Sequence, residues 1–317
     1  MQGADGSDAS AAGDGVEQTR RWWREWLGAV PDPAGTWRIG AAREPLHPEV
    51  RGPIQQLVLS SYGSELVCEF HRPEGVPPTG ITVIAPFYDT APLFGEPSRR
   101  TRRAGRDPAL GAYGLQLAQA GHAVLAVPWW FEQVSAADPS TAEARSLAER
   151  YGPAAERHRR EQPMTGLGRS VGDLMLAVTA LRDSGLAGED RLAAFGHSLG
   201  GKLAMHLAAL DTRLDAGAAH EPGLGFAHSN WADPWYLDGA VPEDRDQDEL
   251  LGLIAPRPFL LAGGGDGDGV HNLELLRSAR RRWPEEKGLE LLLHDGGHPL
   301  PRHVMAGIRE WLTSTIG

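Results

Sequence analysis

The chain has 317 residues, 41% of them hydrophobic, which is enough to bury a sizeable core and excludes global disorder. Its formal charge of -11 excludes the basic surface that phosphate binding requires, so no nucleic-acid partner is expected. The single cysteine, Cys68, cannot form an internal disulfide, and no apolar run approaches the ~20 residues of a membrane span, so the composition points to a cytoplasmic protein with no membrane partner.

Residues 1–15 are rich in Gly, Ala, Asp and Ser and are expected to form a flexible tail. They carry neither the cationic stretch nor the apolar stretch of a secretory signal. Residues 16–53 are expected to form a helical extension, because Trp22, Trp23, Trp26 and Leu27 give the segment from Val16 to Leu27 one apolar side. From residue 54 to 317 the pattern changes to short apolar runs bounded by Gly and Pro. They fall at Leu57–Ser61, Leu66–Phe70, Ile81–Phe87, Ala123–Val127, Leu192–Phe195, Ala216–Ala219, Phe259–Ala262 and Leu289–Leu293.

Several of these runs are continuous in Val, Ile, Leu and Ala, as expected of strands covered on both faces. Helical spacing appears between them: Val171, Leu174, Met175, Val178 and Leu181 precede one strand, Leu199 to Leu210 follows it, and Val304, Ile308, Trp311 and Leu312 close the chain. Alternating strand and helix predicts an α/β fold with a mostly parallel, doubly wound sheet of about eight strands. The first two runs lie close together and predict an antiparallel hairpin. Residues 129–170 are charged and irregular and are expected to form an inserted cap.

The strongest motif is Gly196-His197-Ser198-Leu199-Gly200-Gly201-Lys202, placed between the apolar run at Leu192–Phe195 and a helix. A strand, a Gly-x-Ser-x-Gly turn and a helix together make a nucleophile elbow. Serine is raised on a sharp turn, glycines avoid backbone clashes, and the helix N-terminus faces a developing oxyanion. The base is expected at His298, in a glycine turn after the last strand, because imidazole takes and returns a proton near neutral pH. His294 and His303 fit less well, lying in the strand and in the final helix.

For the acid, the loop Gly263 to Gly269 offers Asp266 first and Asp268 second, and Glu221 after the Ala216 strand is a third candidate. Oxyanion donors are expected from the backbone of Leu199 and of Phe87 or Tyr88. Trp129, Trp130, Trp231, Trp235 and Tyr236 gather at strand ends, where they either line a substrate pocket or pack a cap onto the core. Arg99, Arg100, Arg102, Arg103 and Arg106 form a basic run that reads as a solvated loop, or as a contact for an anionic substrate group. No metal or phosphate-binding motif is present.

The stretches Gly196–Lys202, Ser229-Asn230-Trp231 with Pro234-Trp235-Tyr236, and Ile254–Gly264 resemble the dienelactone-hydrolase-like branch of the α/β-hydrolase superfamily, including bacterial acetyl-esterase-like enzymes. The likeness runs over roughly the last four-fifths of the chain. It implies a serine carboxylester hydrolase that needs no cofactor; the expected partner is a small-molecule ester, and the chain is expected to be a monomer or homodimer. Two other readings use the same residues: an acyltransferase or peptidase, and a non-hydrolytic protein that uses the pocket alone. In place of a histidine-containing oxyanion loop the chain has Pro86-Phe87-Tyr88-Asp89-Thr90.

Overall fold

Short runs rich in Val, Ile, Leu and Ala pair into one mixed sheet, as their two-sided burial requires. The computed structural model describes residues 7–28, 35–98, 111–264, 268–283 and 288–317. Within them the strands are β1 (Gly35–Arg43), β2 (Ile54–Ser61), β3 (Ser64–His71), β4 (Ile81–Phe87), β5 (Ala123–Pro128), β6 (Arg191–His197), β7 (Ala216–His220), β8 (Phe259–Gly263) and β9 (Leu289–Leu293). Their order across the sheet is β1-β2-β3-β5-β4-β6-β7-β8-β9. The first three form an antiparallel meander, β3 joins β5 antiparallel, and every pair from β5 to β9 is parallel.

The helices are α1 (Ser7–Trp26), α2 (Tyr113–Gln119), α3 (Trp130–Ala137), α4 (Leu147–Glu161), α5 (Gly166–Asp183), α6 (Leu199–Leu210), α7 (Gln247–Gly252), α8 (Leu273–Arg280) and α9 (Arg302–Ile316). Two apolar clusters sit on opposite faces of the sheet. One gathers α1, α5 and α6, and the other gathers α2 and α9. This is the α/β architecture expected from the alternating pattern.

The winding of the sheet positions the site. Strand β5 lies on one side of β4 and β6 lies on the other, so the direction of winding reverses between β4 and β6. In parallel sheets a crevice opens beyond the carboxyl ends of the strands at such a reversal. The turn that follows β6 carries Ser198 into it.

The amino-terminal region departs from expectation in two ways. Helix α1 begins at Ser7, inside the stretch expected to be a flexible tail, in agreement with the helix propensity of Ala9, Ala11 and Ala12. The segment 16–53, expected to be a helical extension, also contains β1, an edge strand whose residues are mostly exposed and therefore carry no apolar signature. Residues 129–170 hold α3, α4 and the start of α5.

Helix α1 is part of the packed structure. Trp23 is fully buried, and the Arg20 guanidinium donates to the carbonyls of Ala209 (3.1 Å) and Leu253 (3.1 Å), at the carboxyl ends of α6 and α7, where carbonyls lack intrahelical donors. Trp23→Ala is therefore expected to destabilise the fold by about 3–5 kcal/mol. A urea midpoint close to that of the wild type would show that α1 is only loosely attached.

Candidate functional site

The turn at Ser198 is set by how closely three backbone segments approach. A Cβ on Gly196 would run into the carbonyl group of Gly200, and one on Gly200 would run into the carbonyl oxygen of Pro86. Only glycine lets α6 begin this close to the ends of β6 and β4. Ser198 therefore takes φ 57° and ψ −118°, outside the regions that L-residues favour. Its amide donates to the carbonyl of His220 (2.9 Å), which ties the turn to β7.

The His298 ring lies on the hydroxyl side of this turn, with Nε2 at 3.0 Å from Ser198 Oγ. The opposite nitrogen, Nδ1, lies 3.5 Å from Glu221 Oε2. Glu221 follows directly on β7, again with a left-handed backbone (φ 50°), and its side chain is fully buried. The amides of Gly264 and Asp268 (3.3 Å) donate to its carboxylate, which offsets the cost of burying its charge. Among the described residues, the non-glycine positions with positive φ are Tyr62, Ser198, Glu221 and Asp238. Backbone strain thus falls on two of the three residues brought together here.

The three acid candidates are placed differently. Asp266 lies outside the described residues. Asp268 is fully buried, and its carboxylate accepts from the amides of Gly223 (2.7 Å) and Leu224 (2.9 Å) and from Asn272 Nδ2 (2.7 Å), which makes it a fastener for the loop after β7. Burial pushes the Asp268 carboxyl upward, and those amides act against the shift. Of the two candidates among the described residues, Glu221, ranked last from sequence, is the one brought to His298.

The Leu199 amide stands in the first turn of α6, where no intrahelical acceptor is available, one residue after Ser198. Phe87 ends β4 and Tyr88 follows it, directly after the Pro86 carbonyl that Gly200 approaches. A cavity of about 220 Å³ opens over Ser198, Glu221 and His298. Of the aromatic residues expected to line it, Trp129, Trp235 and Tyr236 do, together with Tyr88 and with Tyr151 of α4.

Trp130 and Trp231 do not line it. Trp130 packs against the Arg169 guanidinium (4.1 Å from the ring centroid) and donates to Ser64 Oγ (3.0 Å). Trp231 is fully buried and donates to the Gly223 carbonyl (2.8 Å). Both are large rings used for packing, and composition alone does not distinguish that use from a pocket wall. The five arginines from Arg99 to Arg106 lie outside the described residues.

Sequence reasoning missed Lys202 as a cavity residue. Its position four residues after Ser198 puts it one helical turn further along α6, on the same face. The ammonium donates to Ser229 Oγ (2.7 Å) and sits 3.7 Å from the Trp231 ring centroid. Burial pushes Lys202 down to about 7, and the nearby charges of Asp268 and Asp233 pull it partway back. Among the described residues, no group of three or more His, Cys, Asp or Glu side chains could hold a metal ion, and no helix is long and apolar enough to cross a membrane.

No family model matches the sequence, and no curated protein matches it. Solved structures do match in fold. A glucuronoyl esterase from Solibacter usitatus superimposes with a TM-score of 0.66 at 13% identity, covering 95% of this chain and 92% of that one. A carbohydrate esterase family 15 glucuronoyl esterase from Teredinibacter turnerae gives 0.62 at 18% identity, covering 95% and 84%. Acetyl xylan esterase 1 from a Thermoanaerobacterium species gives 0.52 at 14% identity, covering 95% and 94%. The chain has the α/β-hydrolase fold that these esterases share.

The buried lysine has a consequence for stability. An unfolded chain holds a lysine proton to ~10.4, whereas the folded protein releases it at about 7. Between those values the unfolded state binds more protons, so folding stability rises with pH. The stability of the wild type measured against Lys202→Met should increase from about pH 7 to about pH 9. Urea midpoints that differ by a constant amount across this range would contradict it.

Proposed function

We propose that the protein is a serine carboxylester hydrolase that forms an acyl-enzyme on Ser198, with His298 as general base and Glu221 as the acid that orients it. The observation that carries this reading is the 3.0 Å contact between His298 Nε2 and a serine hydroxyl raised on a strained turn. Hydroxyl attack on an ester carbonyl passes the Ser198 proton to His298 Nε2. The imidazolium that results is stabilised by the buried Glu221 carboxylate on its other side.

Negative charge developing on the carbonyl oxygen is met by the Leu199 amide, and by that of Phe87 or Tyr88. Collapse of the tetrahedral intermediate expels the alcohol, which takes the proton from His298. A water molecule, deprotonated by the same ring, then releases the acid and restores Ser198.

The small cavity, with its aromatic walls, the polar ends of Ser229 and Asn230 and the buried Lys202, supports a short ester on a polar, carbohydrate-like framework. The fold-level likeness to glucuronoyl and acetyl xylan esterases points the same way. A cytoplasmic location is retained as part of this reading, with Cys68 buried and not available for pairing.

The mutational pattern tests the assignment. On a short aryl ester, and on acetylated or uronate-ester sugars, Ser198→Ala and His298→Ala should each lower kcat by about 10⁴-fold or more, and the double variant should be no worse than either alone. Glu221→Gln should cost up to about 10⁴-fold. It should be the most damaging of the carboxylate variants, ahead of Asp266→Asn and Asp268→Asn, with Asp268→Asn lowering the melting temperature more than the turnover. If Asp266→Asn is the most damaging, the acid belongs to the glycine loop; if Ser198→Ala keeps full activity, the esterase reading falls.

A further inference from the structure

Three histidines outside the Ser198–His298–Glu221 set form a continuous chain beneath it. His197 Nδ1 lies 2.8 Å from His220 Nδ1, and His220 Nε2 lies 2.9 Å from His294 Nε2. At the far end, the Gly296 amide donates to His294 Nδ1 (3.0 Å). The chain follows from topology. His197 and His220 are register partners at the ends of β6 and β7, and the His294 amide is held by the Gly263 carbonyl (2.9 Å) at the end of β8. Each histidine is covalently close to one member of the set: His197 precedes Ser198, His220 precedes Glu221, and His294 stands four residues before His298.

Hydrogen-bond arithmetic fixes where the protons are. His294 Nδ1 accepts from Gly296, so a neutral His294 carries its proton on Nε2 and donates it to His220 Nε2. His220 then carries its proton on Nδ1 and donates to His197 Nδ1, which leaves the His197 proton on Nε2. The nitrogens pair off along a line and do not converge on a point. A further proton on any paired nitrogen would place two protons between atoms less than 3 Å apart, so the chain can be protonated only by breaking a link.

We infer that His197, His220 and His294 are positioning residues, a neutral relay of fixed tautomers that holds the loops bearing Ser198, Glu221 and His298 in register and keeps positive charge from forming beneath them. Its catalytic consequence rests on the esterase reading, whereas its tautomers do not. The electrostatics agree. Burial first, and then the neighbouring rings of His197, His294 and His298, push His220 down to about 2. Burial also lowers His294, with His303 adding to the shift and Glu221 and Asp295 opposing it.

Other titratable groups surround the relay. The His298 ring centroid is 5.0 Å from that of His197, and the His303 ring of α9 is 6.3 Å from that of His294. On the side of α2, the Tyr113 hydroxyl donates to the Pro86 carbonyl (3.0 Å). A cation in the relay would face the imidazolium that forms at His298 during turnover and would raise the barrier to forming it.

Two measurements test the relay. The first records imidazole ¹⁵N–¹H correlation spectra of histidine-labelled wild-type protein, assigned with single-histidine variants, between about pH 5 and about pH 8. The expected result is a proton on His220 Nδ1 and on His294 Nε2, with no titration of either ring. A proton on His220 Nε2, or protonation of either ring within that range, overturns the relay whether or not the protein is an esterase.

The second measures the acid limb of log kcat/KM. In the wild type its slope should be about one. In His220→Leu, which frees His197 and His294 to charge, the slope should approach two. His294→Gln keeps an Nε2–H donor and cannot charge, so it should retain the wild-type slope, and the spectroscopic measurement on the wild type carries the test if His220→Leu does not fold. A loss in His220→Leu that is uniform at all pH values would indicate packing alone and overturn the proposed role. Loss of all ester hydrolysis in the wild type would instead count against the esterase reading and leave the spectroscopic result to decide the relay.

Discussion

The close approach of Gly200 to the Pro86 carbonyl, and of Gly196 to the Gly200 carbonyl, is the constraint on which the site depends. It allows a helix to start where two parallel strands end, and it forces Ser198 into a backbone conformation with positive φ. Such strain costs on the order of 1–3 kcal/mol and persists only when the surroundings over-determine it. The surroundings here are the bond from the Ser198 amide to β7 and the fully buried start of α6. The hydroxyl is thereby exposed to the cavity while the chain that carries it remains in the core.

The same device recurs one strand away. Glu221 leaves β7 with positive φ, its amide donates to the Ala262 carbonyl of β8 (3.0 Å), and its carboxylate is fastened by the amides that follow β8. Ser198 and Glu221 thus stand at the ends of adjacent parallel strands that are cross-linked by backbone hydrogen bonds. The His298 ring reaches in from the loop after β9 and bridges them. The histidine chain beneath adds side-chain links between the same strand ends, so the geometry is held at both the backbone and the side-chain level.

Most of this was legible in the sequence, for a physical reason. Buried parallel strands must be nearly continuous in apolar residues, and a serine elbow must be flanked by glycine, so both leave local signatures. Ser198 and His298 come together as their sequence contexts predict. Strand β1 was not legible, because an exposed edge strand needs no apolar residues. Glu221 was ranked last because no local pattern marks a carboxylate that is brought to His298 from the end of β7. A glutamate immediately after a buried strand and before Pro222-Gly223 was the only available signal. Trp130 and Trp231 illustrate the opposite error, since an aromatic at a strand end is as easily structural as functional. Lys202 was legible only as the residue one helical turn beyond Ser198, whereas the three relay histidines depend on which strands are neighbours, and that order appears only once the sheet is assembled.

The central claim is that Ser198 is an activated nucleophile, and active-site labelling reads this directly. Incubation with a fluorophosphonate followed by intact-mass and peptide analysis should show one phosphonyl group per chain, attached to Ser198. The reaction should be slowed strongly by His298→Ala and abolished by Ser198→Ala. A label on another residue, or labelling undiminished in Ser198→Ala, would contradict the account.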